Sequence, residues 1–230
     1  MGSFAQYDVD RGERTGAPEV ILGEGKRPAH LVALLKELAD RGRGALVSRM
    51  TDEQARAVRT AGRAGHWPLR FLADGRIAHL DGGMIRARSA GPVALVTAGT
   101  SDVPLAEEAR AVLEACGVRV HHAYDVGVAG VHRLQAAVAR LERHRPRVYL
   151  AFAGREGALP TVLAGLVAAP VVGVPTSVGY GRGGRGEAAL GAMLQSCAPI
   201  AVVNIDAAVP AALFALQLLA ADARAAPGRP

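Results

Sequence analysis

A chain of 230 residues that is 50% hydrophobic can bury one large core or two small ones. Its 4% aromatic content and bulk of Ala, Val, Leu and Gly suit helices packed closely on a parallel sheet. No apolar run reaches the roughly 20 residues of a bilayer span, the opening MGSFAQYDVDRGER lacks an apolar signal core, and the net charge of +6 comes from scattered arginines without the aromatics that stack on bases, so a cytoplasmic protein with an anionic small substrate is expected, and neither a membrane nor a nucleic-acid partner.

Residues 1 to about 26 read as irregular and polar, ending in GEGK, and Met1 to Ser3 as an appended scar. Pro28 opens a helix, Ala29 to Arg41, with Leu31, Leu34, Leu35 and Leu38 on one face and Gly42 or Gly44 as its stop. Ala45 to Ser48 is a short strand. Thr51 followed by Gln54 is a capping-box pattern, and a helix then runs to about Ala61. Residues 66 to 90 hold two short strand candidates between Gly turns, which completes a small α/β domain over residues 1–90.

Gly91-Pro92 marks the boundary to a second domain, 91–230, where strands and helices alternate. Strands are expected at Val93–Thr97, Val118–Ala123, Val148–Phe152, Val171–Val174 and Ile200–Ile205. Helices are expected at Val103–Cys116, Val131–Arg143, Pro160–Ala168, Glu187–Ser196 and Pro210–Ala225. Such alternation implies a parallel sheet with right-handed crossovers, whose ligand sits beyond the carboxyl ends of the strands. The loops after each strand are therefore where chemistry is sought.

In Ala98-Gly99-Thr100-Ser101-Asp102, Gly permits a tight turn and the helix start attracts an anion, although Ser101 or Asp102 can equally cap the helix. In Asp125 to Arg133, His132 and Arg133 begin a helix after Gly130; a lone His is more often structural. Glu156, between Gly154-Arg155 and Gly157, stands at the end of a buried strand, where a carboxylate at a helix start is favoured. Residues 175–186, with Thr176, Ser177 and five glycines, read as a lid, a phosphate wrap or a flexible connection. Walker A spacing is absent and no G-x-G-x-x-G follows the first strand, which excludes a P-loop NTPase and a dinucleotide dehydrogenase. Cys116 reads as core packing; Cys197, beside Pro199 and before the last strand, is either filler or a nucleophile. Two cysteines make no disulfide framework, and no Cys–His spacing supports zinc.

Taken together, TAGTSDVPLAEEA, YDVGVAGVHRL, AGREGALPTVLAGLVAAPVVGVPTSVGYG and SCAPIAVVNID resemble the C-terminal domain of the LarB family, which is similar to PurE-type aminoimidazole-ribonucleotide carboxylase. RGERTGAPEVILGEGKRP and ALVSR resemble that family's N-terminal domain, so the resemblance covers nearly the whole chain. It implies a flavodoxin-like three-layer αβα domain behind a small α/β domain. The implied reaction is carboxylation of the pyridinium ring of nicotinic acid adenine dinucleotide by CO2 or bicarbonate. Hydrolysis of the phosphoanhydride then gives pyridinium-3,5-biscarboxylic acid mononucleotide and AMP, in nickel-pincer cofactor biosynthesis. The alternatives are a PurE-like carboxylase or mutase on aminoimidazole ribonucleotide and a non-catalytic nucleotide-binding paralogue.

By that resemblance Cys197 is the nucleophile and Glu156 handles a proton or the hydrolytic water. Ser101 and Asp102 sit where the carboxyl group is transferred, and His132 and Arg133 contact substrate anions. Gly99, Thr100, Gly130, Gly154, Gly157, Thr176 and Ser177 contribute to binding, with Lys26, Glu24 and Arg49 from the N-terminal domain. Mg²⁺ assistance at the anhydride step, no tightly bound organic cofactor and a homo-oligomer, an octamer, are also implied. This chain carries Arg155 where the family commonly has Met, and adds Arg182 and Arg185 to the Gly-rich loop.

Overall fold

The computed structural model describes residues 7–8, 10–82 and 91–225. The chain splits into two compact units, Met1–Arg86 and Ala87–Pro230. The scar reading at Met1 to Ser3 lies outside the described residues, and the expected boundary at 90/91 adjoins the segment 83–90, which also lies outside them.

In the N-terminal unit the elements are α1 (Arg11–Thr15), β1 (Val20–Leu22), α2 (Pro28–Asp40), β2 (Ala45–Ser48), α3 (Asp52–Ala64), β3 (Leu69–Leu72) and β4 (Ile77–Leu80). Sheet order is β1-β2-β4-β3, with β1 parallel to β2 and the other pairs antiparallel. Leu31, Leu34, Leu35 and Leu38 lie on one stripe of α2 and are buried with Val47, Val58 and Leu80, each leucine contributing roughly 1.5–3 kcal/mol. Thr51 and Gln54 form the reciprocal capping box at the start of α3. Gln54 also spends its amide on Gly23 O and Lys26 O, at 2.8 and 2.6 Å. The stretch expected to be irregular contains α1 and β1. Five residues of which only Gly12 is buried carry no helical period, and a three-residue strand becomes one by pairing with Leu46, Val47 and Ser48. Both signals are tertiary rather than local.

The C-terminal unit runs β5 (Val93–Thr97), α4 (Val103–Ala115), β6 (Val120–Ala123), α5 (Val131–Leu141), β7 (Val148–Ala153), α6 (Ala158–Ala164), β8 (Val171–Pro175), α7 (Glu187–Leu194), β9 (Ile200–Val202) and α8 (Ala208–Ala225). The sheet is wholly parallel in the order β6-β5-β7-β8-β9, which is the flavodoxin-like order 2-1-3-4-5. β5, β7 and β8 are buried along their whole length, because helices cover both faces and leave no reason for polar alternation. On one face Ala94, Val96, Tyr149 and Ala151 meet Leu134 and Leu141 of α5, Leu163 of α6 and Met193 of α7. The alternate residues Leu95, Leu150 and Phe152 point to the opposite face, where α4 and α8 pack together and against the sheet.

α6 starts two residues before its expected Pro160 and ends early, at Ala164. Gly157 in the left-handed region breaks into the helix, Pro160 fits its first turn, and Gly165 follows its end. β9 stops at Val202 rather than at Ile205, although Val203 and Asp206 still donate to Gly173 O and Pro175 O of β8.

Gly191 sits inside α7 with nothing within 4 Å of where a Cβ would stand. Gly191→Ala is expected to stabilise the protein by about 0.5–1 kcal/mol. That is a rise of about 1–4 °C in Tm by calorimetry; a fall in Tm would contradict the open space around this helix.

Candidate active site

Parallel strands end together, and the order of this sheet reverses direction between β5 and β7, so a crevice must open beyond their carboxyl ends. A cleft of about 640 Å³ lies there. Its walls come from the loop after β5 (Ala98, Gly99, Ser101, Asp102), the turn before α5 (Gly127 to Ala129, with Arg133), the loop after β7 (Gly154 to Glu156) and the loop after β8 (Val178 to Tyr180).

Asp102 is the buried carboxylate of this cleft, 4% exposed. Oδ2 accepts from the Gly99 N–H at 2.8 Å and Oδ1 accepts from the Thr176 hydroxyl at 2.6 Å. It stands at the N-cap of α4 but makes no side-chain cap bond there. The capping role expected of it is therefore replaced by a bond across the sheet ends, from the β5 loop to the β8 loop. The Gly99 N–H, expected to face an anion, is already engaged by Asp102. Burial pushes the Asp102 carboxyl above the usual aspartate range and the charge of Asp206 adds to this, while the bonds from Thr176 and Gly99 oppose it.

A raised folded-state pKa means that the folded protein holds this proton more tightly than the unfolded chain does. The contribution therefore favours folding at low pH and is lost as pH rises through the folded pKa. Asparagine never ionises; its carbonyl oxygen can accept from the Gly99 N–H, and its amide N–H can donate to the Thr176 hydroxyl oxygen with the direction of that bond reversed. Asp102→Asn should thus gain in Tm relative to wild type as the pH is taken from about 4 to about 8, and a difference flat with pH would contradict the burial argument.

The other residues singled out from sequence divide into three groups. Gly99, Ser101, Arg133, Gly154 and Glu156 line the cleft with Asp102. Arg133 is paired with Asp125 at 3.1 Å, and Glu156 is exposed and 3.9 Å from Arg155. Thr176 is fully buried under the cleft, acting on it through Asp102, and the Ser177 N–H donates to Asp206 Oδ1 at 2.8 Å. Thr100, Gly130, Gly157 and His132 are not among the lining residues. His132 is exposed on α5, and one helical step of about 100° separates it from Arg133, which turns to the cleft. Gly157 holds φ 63, and a Cβ there would stand 2.7 Å from Ala189 O, so it seats α6 against α7 instead of touching a ligand.

Cys197 lies apart. It precedes β9, whose first residue Ile200 pairs with Val171, the first residue of β8. The thiol therefore belongs to the amino ends of the strands, the edge of the sheet opposite the cleft. Its turn is held by Thr161 Oγ1 donating to Ser196 Oγ at 2.8 Å and by the Ala198 N–H donating to the same oxygen at 3.1 Å. Cys197 is exposed, whereas Cys116 is buried with its thiol pushed up to about 12. Of the two, only Cys197 has the access a nucleophile needs. Lys26 donates to Leu22 O at 2.8 Å and lines a separate cavity of about 300 Å³ in the N-terminal unit; Arg49 lies 3.5 Å from Glu24.

Arg155 and Tyr180 are cleft residues that the sequence reading left without a role. The Arg155 guanidinium covers the Tyr180 ring at 4.6 Å and donates to its hydroxyl at 2.6 Å. The available signal was a tyrosine, rare in this chain, inside a Gly-rich loop. Among the described residues no group of three or more His, Cys, Asp or Glu could hold a metal. Asp102 has both oxygens engaged and Glu156 faces Arg155, so the cleft residues do not fit a protein-held Mg²⁺ site. No described helix is long and apolar enough to cross a membrane.

Comparison with known proteins agrees with this architecture. Residues 92–227 match the AIR carboxylase family, and residues 1–80 match the LarB/PurE-like N-terminal domain. An uncharacterised protein of Methanocaldococcus jannaschii is 38% identical over 212 residues, covering 91% of this chain and 82% of its own length. The N5-carboxyaminoimidazole ribonucleotide mutases of M. jannaschii and Pyrococcus horikoshii are 31% and 32% identical, over 56% and 55% of this chain and 78% and 71% of their own lengths. A LarB/PurE-like domain followed in one chain by an AIR carboxylase domain, both laid out as the sheets above, places this protein in the LarB family.

Proposed function

We propose that this protein carboxylates the pyridinium ring of nicotinic acid adenine dinucleotide and hydrolyses its phosphoanhydride, releasing AMP and the dicarboxylated mononucleotide. The observation that carries the reading is an exposed, accessible thiol, Cys197, in a chain that joins the LarB-type N-terminal domain to an AIR carboxylase domain. A pyridinium carbon is electron-poor and does not attack CO2. Addition of a thiolate to the ring carbon para to nitrogen neutralises the ring and leaves an enamine. The neighbouring carbon then forms a bond to CO2. Loss of that carbon's proton and expulsion of the thiolate restore the aromatic ring, so the carboxylation consumes CO2 and releases one proton. Hydrolysis of the anhydride consumes one water.

In this scheme Asp102, held by the Gly99 N–H and the Thr176 hydroxyl, lies where the carboxyl group is transferred, and Ser101 lies beside it on the same wall. Glu156, exposed on the loop after β7, takes the ring proton or orients the hydrolytic water. Arg133, on the cleft wall, supplies positive charge for the substrate's anionic groups. Cys197 lies at the far edge of the sheet from the cleft of its own chain, so in this scheme the thiol comes from a second copy. Leu194, three residues earlier, is 67% exposed, as suits a surface that another copy covers.

The mutase relatives favour a second reading, with aminoimidazole ribonucleotide as acceptor. That substrate is already an enamine and leaves Cys197 without a task. Incubation with nicotinic acid adenine dinucleotide and bicarbonate, read by mass spectrometry, separates the two. A product heavier by one carboxyl group, with AMP, supports the first; no such product, with turnover of aminoimidazole ribonucleotide, supports the second.

A further inference from the structure

The rim of the cleft has a construction that the carboxylation scheme does not use. Arg155 follows β7 with φ 44, a left-handed conformation that costs an ordinary residue roughly 1–2 kcal/mol. The Gly-rich loop wraps its backbone: the Arg155 N–H donates to Val178 O, and a Cβ on Gly183 would stand 3.2 Å from Arg155 O. Held in this way, the guanidinium lies over one face of Tyr180 and bonds its hydroxyl. Tyr180 is nonetheless 73% exposed, so its other face is open at the mouth of the cleft. Arg182 and Arg185, both exposed, follow on the same loop.

We infer that the Arg155–Tyr180 pair is a stacking platform for the purine ring of a nucleotide, fixing which half of a dinucleotide lies at the rim. A cation against one face of an aromatic ring withdraws electron density and makes the opposite face a poor partner for a second cation. A positively charged pyridinium is therefore disfavoured there, and a neutral, electron-rich purine is favoured. The arginines on the same loop provide charge for the phosphate attached to it. The purine half thus occupies the rim, and the pyridinium half lies deeper, toward Asp102 and Ser101. The inference rests on the reading of this cleft as a dinucleotide site and names the residues that orient the substrate in it.

The test is titration calorimetry of the full chain with AMP and, separately, nicotinic acid mononucleotide. Tyr180→Ala should weaken AMP binding by about 5- to 150-fold, the range of base–aromatic stacking, and leave the mononucleotide within about twofold. Tyr180→Phe should retain most of the AMP affinity, because the ring face remains. Arg155→Met should narrow the preference for AMP over the pyridinium mononucleotide. Unchanged AMP binding in Tyr180→Ala, no AMP binding by the wild type, or equal losses for both nucleotides would overturn the assignment. Carboxylation of nicotinic acid adenine dinucleotide is read on the same samples by mass spectrometry. Its absence would refute the proposed reaction without touching the AMP result.

Discussion

Replacing Cys197 by alanine is expected to reduce carboxylation of nicotinic acid adenine dinucleotide by on the order of 10³-fold or more, the scale of losing a covalent nucleophile. The Tm should stay within about a degree, because an exposed thiol contributes little packing. AMP binding to the cleft should persist, since the thiol lies at the opposite edge of the sheet in its own chain. That placement gives a sharper test. Cys197→Ala and Asp102→Asn are each expected to be inactive, but co-refolded or co-expressed they should recover roughly a quarter of wild-type activity. Random mixing gives one cleft in four an intact aspartate from one copy and an intact thiol from another. Recovery would establish a shared site. Full activity in Cys197→Ala would remove the covalent scheme, and no recovery in a mixed oligomer would mean that thiol and cleft do not meet between copies.

The features legible in the sequence are those whose cause is local. The leucine stripe of α2 and the Thr51–Gln54 box fall where the pattern puts them, because spacing and capping depend on neighbours within one or two turns. The apolar runs 93–97, 148–152 and 171–174 could be read as a parallel sheet because burial on both faces leaves no polar alternation. Strand alternation with helices also located the cleft, through the rule that ligands lie past the carboxyl ends. β1 was illegible because three residues become a strand only against β2. The role of Asp102 was illegible for the same reason: its partner Thr176 is 74 positions away, and nothing in TSDVP signals that the carboxylate turns inward instead of capping α4. The platform of Arg155 and Tyr180 spans 25 positions and two loops, and it depends on a backbone angle that sequence does not state. Cys197 is singled out by the resemblance of its SCAP motif, while its distance from the cleft is a consequence of strand direction.

The narrowest fit in the cleft is at Gly154, and Gly154→Ala should be the most damaging single-methyl change there. A Cβ built at this position stands 2.1 Å from Val178 O and 2.9 Å from Thr176 Oγ1. The carbonyl is backbone and cannot swing aside alone, so the whole loop after β8 must move by about an ångström to reach ordinary contact. Overpacking of this kind costs typically 1–3 kcal/mol. The displaced loop carries Tyr180 on the rim and Thr176, whose hydroxyl holds Asp102 Oδ1. A misplacement of that size at a positioned site can lower turnover by about 100-fold. Gly184→Ala is the matched control: it lies in the same loop, with φ −62 and nothing within 4 Å of its Cβ position, and should leave both Tm and kcat/KM unchanged. If the two variants behaved alike, with both active, the close approach of the β7 and β8 loops would have no part in forming the site. If both were inactive, the loop would be sensitive to any loss of glycine rather than to the contact at Val178. Damage confined to Gly154→Ala would tie the shape of the cleft to one glycine at the end of one strand.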